Sequence, residues 1–240
     1  MLEPLISVVI PVFNGERYLA EAVSSVLGQS PARRLEVLVV DDGSTDGSAA
    51  VARSFPSPVR LIEAEHGGLG ATRNRGVAAA QGAFLAFLDA DDVWMPEKLA
   101  LQIEHLEAHP LVDMVFALQQ NFHSPELTAE ERQLSFCPPE PQVAKFAGTL
   151  LIRREAFDRV GPFATCWNVG EFLDWYCRAQ EHGIGEAVLP QVLLRRRLHC
   201  TNLGIQHRGA QDFVNILRAS LKRRARGKAP EAIPITEEKH

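Results

Sequence analysis

The stretch LEVLVVDDGSTDGS, residues 35–48, runs an apolar, β-branched segment straight into an acidic turn that contains glycine. A continuous apolar run of this length fits a strand buried on both faces, and 48–54 then reads as a short helix. Strand, polar turn and helix together form the repeating unit of an α/β sheet. The same order recurs on either side. Residues 6–10 form a β-branched strand ending at Pro11, and 16–27 carry apolar residues at 19, 22, 23, 26 and 27, a helical stripe. A third strand is expected over 59–62, a helix over 69–80, a fourth strand over 84–88, a helix opened by Pro96 and ending near 108, and a fifth strand over 112–118. This alternation predicts an α/β fold: a Rossmann-like, mostly parallel central sheet with helices on both faces.

The character changes after residue 119. Residues 119–142 are polar and proline-rich and read as a long mobile loop. Helices follow over 153–159 and 170–182, an apolar strand over 187–195, and a helix over 208–225 that ends in KRRARGK. The organisation expected is a ligand-binding half over 1–118, a second half of the same domain over 119–215, and a basic helix end with a flexible polar tail over 216–240. The 240 residues carry a net charge of −5, which argues against general nucleic-acid binding. No apolar run reaches membrane-spanning length, and MLEPLISVVIP lacks the basic region and cleavage site of a signal peptide. The four cysteines, at 137, 166, 177 and 200, show no zinc-type spacing, so a reduced, cytoplasmic protein is expected.

In open α/β sheets, ligands bind beyond the carboxyl ends of the strands, and three polar clusters fall there. Asp41 and Asp42 end the second strand, where buried acids demand a ligand or donors; an acidic turn with Thr45 or Asp46 capping the next helix is the plainer reading. HGGLGATRNRG, residues 66–76, opens a helix with glycines and two arginines, a pattern suited to phosphate. It lacks the third glycine of a dinucleotide fingerprint and follows the wrong strand. FLDADD ends the fourth strand with Asp89, Asp91 and Asp92. Carboxylates at i and i+2 beyond a strand can converge on a hard divalent cation that also holds a diphosphate.

Taken in order, VVIPVFNGERYLAEAVSSVLGQ, VLVVDDGSTDGS, GLGATRNRG and FLDADDVWMPEKL resemble the successive signatures of family 2 glycosyltransferases, closely over residues 5–105 and more loosely through 147–163 and 195–202. The resemblance implies the GT-A fold and an inverting transferase that takes a nucleotide-diphosphate sugar, a UDP-sugar by default, with Mg²⁺ or Mn²⁺ as cofactor. It implies that Pro11, Glu16, Asp42, Arg73 and Asp89 line the donor. Within that set Asp42 meets the base, Arg73 the base or diphosphate, and Asp89 the ribose. It further implies that Asp91 holds the metal and that His199, in Arg197–Leu198–His199, completes the metal or diphosphate site; a structural histidine is the plainer alternative.

Inversion needs a base to take the acceptor's proton. In the family it is the aspartate of a Glu-Asp pair. Aligned on Gly170, Glu171, Asp174 and Arg178, this chain has Phe172 at that place. Three readings stay open: Glu171 as base, Asp174 as base, or a catalytically silent nucleotide-sugar-binding partner protein. A nucleotidyltransferase would also use a strand-end acid pair and a metal, but the ordered motifs argue against it. The run 221–228 has two readings of its own, the solvated end of a helix or a peripheral contact of Lys222–Lys228 with an anionic membrane surface. The acceptor is left unassigned.

Overall fold

A computed structural model describes residues 5–30, 34–202 and 211–227. The first four residues, the expected helix start at 208–210, and Lys228 with the tail lie outside the described residues. The first half follows the expected alternation: β1 (Ile6–Val12), α1 (Glu16–Leu27), β2 (Leu35–Asp41), α2 (Ser48–Arg53), β3 (Val59–Glu63), α3 (Leu69–Ala79) and β4 (Phe84–Phe87). β1 pairs in parallel with β2 and β4, and β2 with β3. All four carboxyl ends therefore open on one edge of the sheet.

Successive side chains of a strand point to opposite faces, and the core divides accordingly. Val8, Ile10, Val37 and Val39 pack with Leu19, Val23 and Val26 of α1. Val9, Leu38 and Val40 pack on the other face with Val77 of α3. The approach of α3 depends on Gly76, where a Cβ would lie 2.4 Å from Val9 Cγ1 and 2.9 Å from its Cγ2. Those atoms belong to a stiff, fully buried side chain, so Gly76→Ala is expected to destabilise the fold by about 1–3 kcal/mol through overpacking. Urea unfolding checks this; unchanged stability would show that α3 can shift outward.

The second half comprises β5 (Val93–Trp94), α4 (Lys98–Ala108), β6 (Met114–His123), α5 (Ala129–Leu134), β7 (Gln142–Ala144), a 3₁₀ turn (Ala147–Thr149), β8 (Leu151–Arg153), α6 (Arg154–Val160), α7 (Glu171–Glu181), β9 (Glu186–Leu198) and α8 (Gln211–Gly227). The sheet order is β3-β2-β1-β4-β8-β6-β9-β5, with β7 also paired to β6. It is more mixed than the alternation predicts. The chain returns along β6 as an interrupted antiparallel strand, β7 then β8, and β8 wedges between β4 and β6. The connection from β6 through α5 does not cross the sheet, so β7 runs antiparallel to β6.

The loop expected over 119–142 is corrected as well. β6 continues to His123, paired in parallel with β9 as far as Leu198. α5 then begins with a reciprocal capping box, in which Thr128 and Glu131 each accept from the other's backbone N–H. The polar composition of Gln119–Gln120–Asn121 hides this strand, because backbone pairing rather than apolar burial holds it.

A buried joint ties β5 and α4 to β6 and the 3₁₀ turn. Trp94 donates through Nε1 to the Gly148 carbonyl at 2.9 Å, and Lys98 Nζ sits 4.2 Å from the Trp94 ring centroid. Lys98 donates to Gln102, which donates onward to the Val115 and Thr149 carbonyls. Burial pushes the Lys98 amine well below its ordinary range.

Candidate active site

Register explains why distant residues meet. Val9 pairs with Phe87, so two residues further on Asp89 comes level with Pro11, at the buried end of β1. β5 pairs antiparallel with β9, Val93 opposite Arg195 and Trp94 opposite Leu194. Counting back along one strand and forward along the other brings Asp91 beside Arg197. Arg197 accordingly donates from its backbone to Asp92 at 2.9 Å and from Nε to the Asp91 carbonyl at 2.9 Å.

The acids of the DADD turn divide by exposure. The Asp89 and Asp91 side chains are 31% and 29% exposed, whereas Asp92 is buried. Burial, then the neighbouring Asp91 and Asp89 carboxylates, push the Asp92 carboxyl well above its ordinary range against the Arg197 N–H. Burial also raises Asp89, opposed by Arg73 and reinforced by Asp91. His199 and Asp91 meet directly, Nε2 to Oδ2 at 2.9 Å. Asn202 donates to the same Asp91 oxygen at 3.1 Å and accepts the His199 N–H at 2.6 Å, while Thr201 Oγ1 meets His199 Nδ1 at 2.8 Å. The Tyr18 ring lies 5.0 Å from the imidazole.

Arg73 is the hub on the other side. Its buried guanidinium donates to Asp89 at 2.6 Å through one nitrogen and to Glu171 Oε1 through the other. The two carboxylates hold its pKa up against burial, which acts to lower it. α3 and α7 approach here because residue 70 is glycine: a Cβ would lie 2.6 Å from the Ala164 carbonyl and 3.5 Å from Glu171 Cβ. This glycine thus admits the second half of the chain rather than a ligand.

The start of α3 also differs from the phosphate cradle read from its glycines. The N–H groups of Gly67 and Gly68 donate, each at 2.9 Å, to the two oxygens of Asp42, and Arg75 and His66 add contacts at 3.0 and 2.9 Å. The anion at this helix start is the protein's own carboxylate. Glu16 likewise accepts from Gly47 N–H at 2.6 Å, tying α1 to the loop before α2. Asp46 accepts from the Ser48 N–H at 3.0 Å, but the N-cap of α2 is Gly47, so neither Thr45 nor Asp46 holds the capping position.

The two candidate bases have unequal surroundings. Both Asp174 oxygens are used, one by Arg178 at 3.0 Å and one by Arg223 of α8 at 3.4 Å. Glu171 shares only Oε1 with Arg73, and among the described residues no donor reaches Oε2. Phe172 is buried in an aromatic cluster, its ring 5.7 Å from Trp175, 6.3 Å from Phe116 and 6.4 Å from Phe163.

The structure therefore brings Arg73, Asp89 and Glu171 into one group and Asp91 and His199 into another, two residues further along the DADD turn. Pro11 borders them; Asp42 and Glu16 serve the loops around them, and Asp174 belongs to the α7–α8 contact. Sequence reading missed Asn202, Thr201 and Tyr18. Asn three residues after His199 is the signal that pointed there, since such a side chain can reach back to close a turn.

Residues 7–167 match the family described as Glycosyl transferase family 2. Glycosyltransferase AglE of Haloferax volcanii is 33% identical over 192 residues, covering 75% of this chain and 62% of that protein. The putative teichuronic acid biosynthesis glycosyltransferase TuaG of Bacillus subtilis is 37% identical over 108 residues, 43% of this chain and 42% of TuaG. The chain spans only 32% of an uncharacterized glycosyltransferase of Rickettsia prowazekii, to which it is 38% identical over 103 residues. In fold it resembles S. aureus TarS 1–349 in complex with UDP-GlcNAc, with a TM-score of 0.74 at 21% identity over 95% of this chain and 68% of that one. Mannosyltransferase PcManGT of Pyrobaculum calidifontis, in complex with GDP-Man and Mn²⁺, gives 0.70 at 21% identity over 98% and 67%. The mixed α/β sheet is thus that of the GT-A glycosyltransferases. With more than half of its length matched by the family, the chain belongs to glycosyl transferase family 2.

Proposed function

We propose that the protein transfers a sugar from a nucleoside diphosphate to an acceptor hydroxyl with inversion, with Glu171 as the base. The observation that carries this reading is the convergence of partly exposed Asp89 and Asp91 with His199, Arg73 and Glu171 at the carboxyl edge of the sheet. The acceptor oxygen attacks the anomeric carbon, the bond to the diphosphate breaks, and the proton passes to Glu171 Oε2. Arg73 orients Glu171 through Oε1 and Asp89 through the other arm of its fork. Asp42, Pro11 and Glu16 shape the donor side, with Asp42 acting through the loop it fixes.

Among the described residues no group of three or more His, Cys, Asp or Glu side chains gathers as a complete metal cage. A carboxylate and an imidazole already in contact do fit a hard cation of the Mg²⁺ or Mn²⁺ kind, which takes one or two protein ligands and leaves the rest to water and substrate phosphates. Asp91 and His199 would hold it, and when bound it would neutralise charge on the departing diphosphate. Complexes of the structural relatives with UDP-GlcNAc and with GDP-Man and Mn²⁺ support this reading. The four free cysteines suit a reducing, cytoplasmic setting.

A panel of nucleotide sugars, with and without Mn²⁺, tests the proposal by thermal shift and product analysis. The matching donor at a hundred times its Kd should stabilise the fold by about 2.7 kcal/mol and release nucleoside diphosphate when acceptor is present. No shift and no release with any donor would refute it, and pyrophosphate release would mark a nucleotidyltransferase. Stabilisation without release would favour the silent binding protein, the second reading that buried Phe172 suggests.

A further inference from the structure

We propose that the outer face of α8 docks on an anionic lipid surface. α8 has two long sides with different partners. On one, Ile216 and Ser220 are buried, Ser220 donates to Glu181 at 2.6 Å, and Arg223 donates to Glu181 at 2.7 Å. This side rests on α7. On the other, Phe213, Val214, Leu217 and Leu221 are 38%, 43%, 52% and 66% exposed. With about 100° of turn per residue these four fall within a single arc of about 100°. Arg218 and Lys222, both exposed, follow along one edge of that arc. Arg224 closes the stripe at its C-terminal end but reaches back to 3.9 Å from Glu181, which leaves Arg218 and Lys222 as the cations of the outer face. No acidic residue occurs between 213 and 227.

An apolar stripe rimmed by cations matches a helix lying in a membrane interface, with the stripe among the acyl chains and the cations at anionic headgroups. A protein partner would need complementary acids as well as apolar surface; a bilayer supplies both continuously. The net charge of −5 makes the molecule as a whole repel such a surface, so attraction has to come from this local face. Among the described residues no helix is long and apolar enough to cross a membrane, and α8 offers surface contact instead.

The position of α8 gives the contact a use. Asp212 accepts from the Asn168 N–H at 3.0 Å, and a Cβ at Gly170 would lie 2.8 Å from Ile216 Cδ1. α8 therefore sits on the turn that leads into Glu171, and docking would bring that end of the site to the lipid surface. The docking itself does not depend on sugar transfer.

Flotation of the full chain with vesicles of phosphatidylcholine alone, or with one third phosphatidylglycerol, tests it. The chain should float at least tenfold more with the anionic vesicles, and raised salt should reduce the difference. The double variants Leu217→Asp/Leu221→Asp and Arg218→Glu/Lys222→Glu should each lose most of the binding. These residues are exposed, so unchanged melting temperatures are expected and show that the fold is intact. Absence of binding to either vesicle, or binding that both variants retain, overturns the proposal. So does a dimer that L217D/L221D turns into a monomer with no lipid binding in the parent, which would assign the stripe to a second copy.

Discussion

Glu171→Gln is expected to lower the transfer rate at saturating donor by about 10²–10⁴, the range for loss of a general base, while donor affinity changes little. The substitution is nearly isosteric. A glutamine oxygen still accepts from Arg73, and only the basicity of the second oxygen is lost. Asp174→Asn supplies the contrast. Its carboxylate is saturated by Arg178 and Arg223, so Asn should weaken the α7–α8 contact yet leave the transfer rate within a few-fold of the parent. Single-turnover rates with nucleotide release decide between them. If Asp174→Asn abolishes transfer and Glu171→Gln does not, the base is Asp174. Full rates in both would remove the base assignment altogether.

The contrast could not be drawn from VGEFLDWYCR alone, because spacing places both acids on one helix without showing what faces each. Glu171 is committed by α3, nearly a hundred positions earlier, and Asp174 by α8, some fifty later. Periodicity carries no record of such partners. The strands of the first half were legible for the opposite reason: buried parallel strands are continuous apolar runs, and Leu35–Asp41 or Ile6–Val12 can be little else. The polar end of β6 was illegible because its pairing with Arg195, Arg196 and Arg197 of β9 needs no apolar pattern. Asp42 shows a subtler limit. Its buried position at a strand end was foreseeable and so was its need for donors, but the donors proved to be Gly67 and Gly68, the glycines that composition alone assigns to a ligand.

Arg73→Met should destabilise the fold by about 3–5 kcal/mol at neutral pH, the cost of removing one partner from a buried ion pair. Methionine fills similar space, so the loss is electrostatic rather than a cavity. It leaves the Asp89 and Glu171 carboxylates facing one another beside Asp91, with no cation between them. The pH dependence distinguishes this cause from lost packing. Burial raises the Asp89 carboxyl in the folded protein, so the protonated form is favoured there. Its contribution to stability is then fully present below the unfolded pKa and falls away as pH rises through the folded one. Without Arg73 that pKa rises further, and the deficit of the variant should shrink as pH is lowered from 7 to 5. Urea unfolding at the two pH values measures it. A deficit under 1 kcal/mol at pH 7, or one that does not shrink in acid, would show that the ion pair is not what holds α7 to α3. Arg73→Lys should lie between the two, because an ammonium cannot fork to two carboxylates at once. If the stability loss is electrostatic, transfer should fall with it, since the same guanidinium fixes Glu171 beside the acids of the DADD turn.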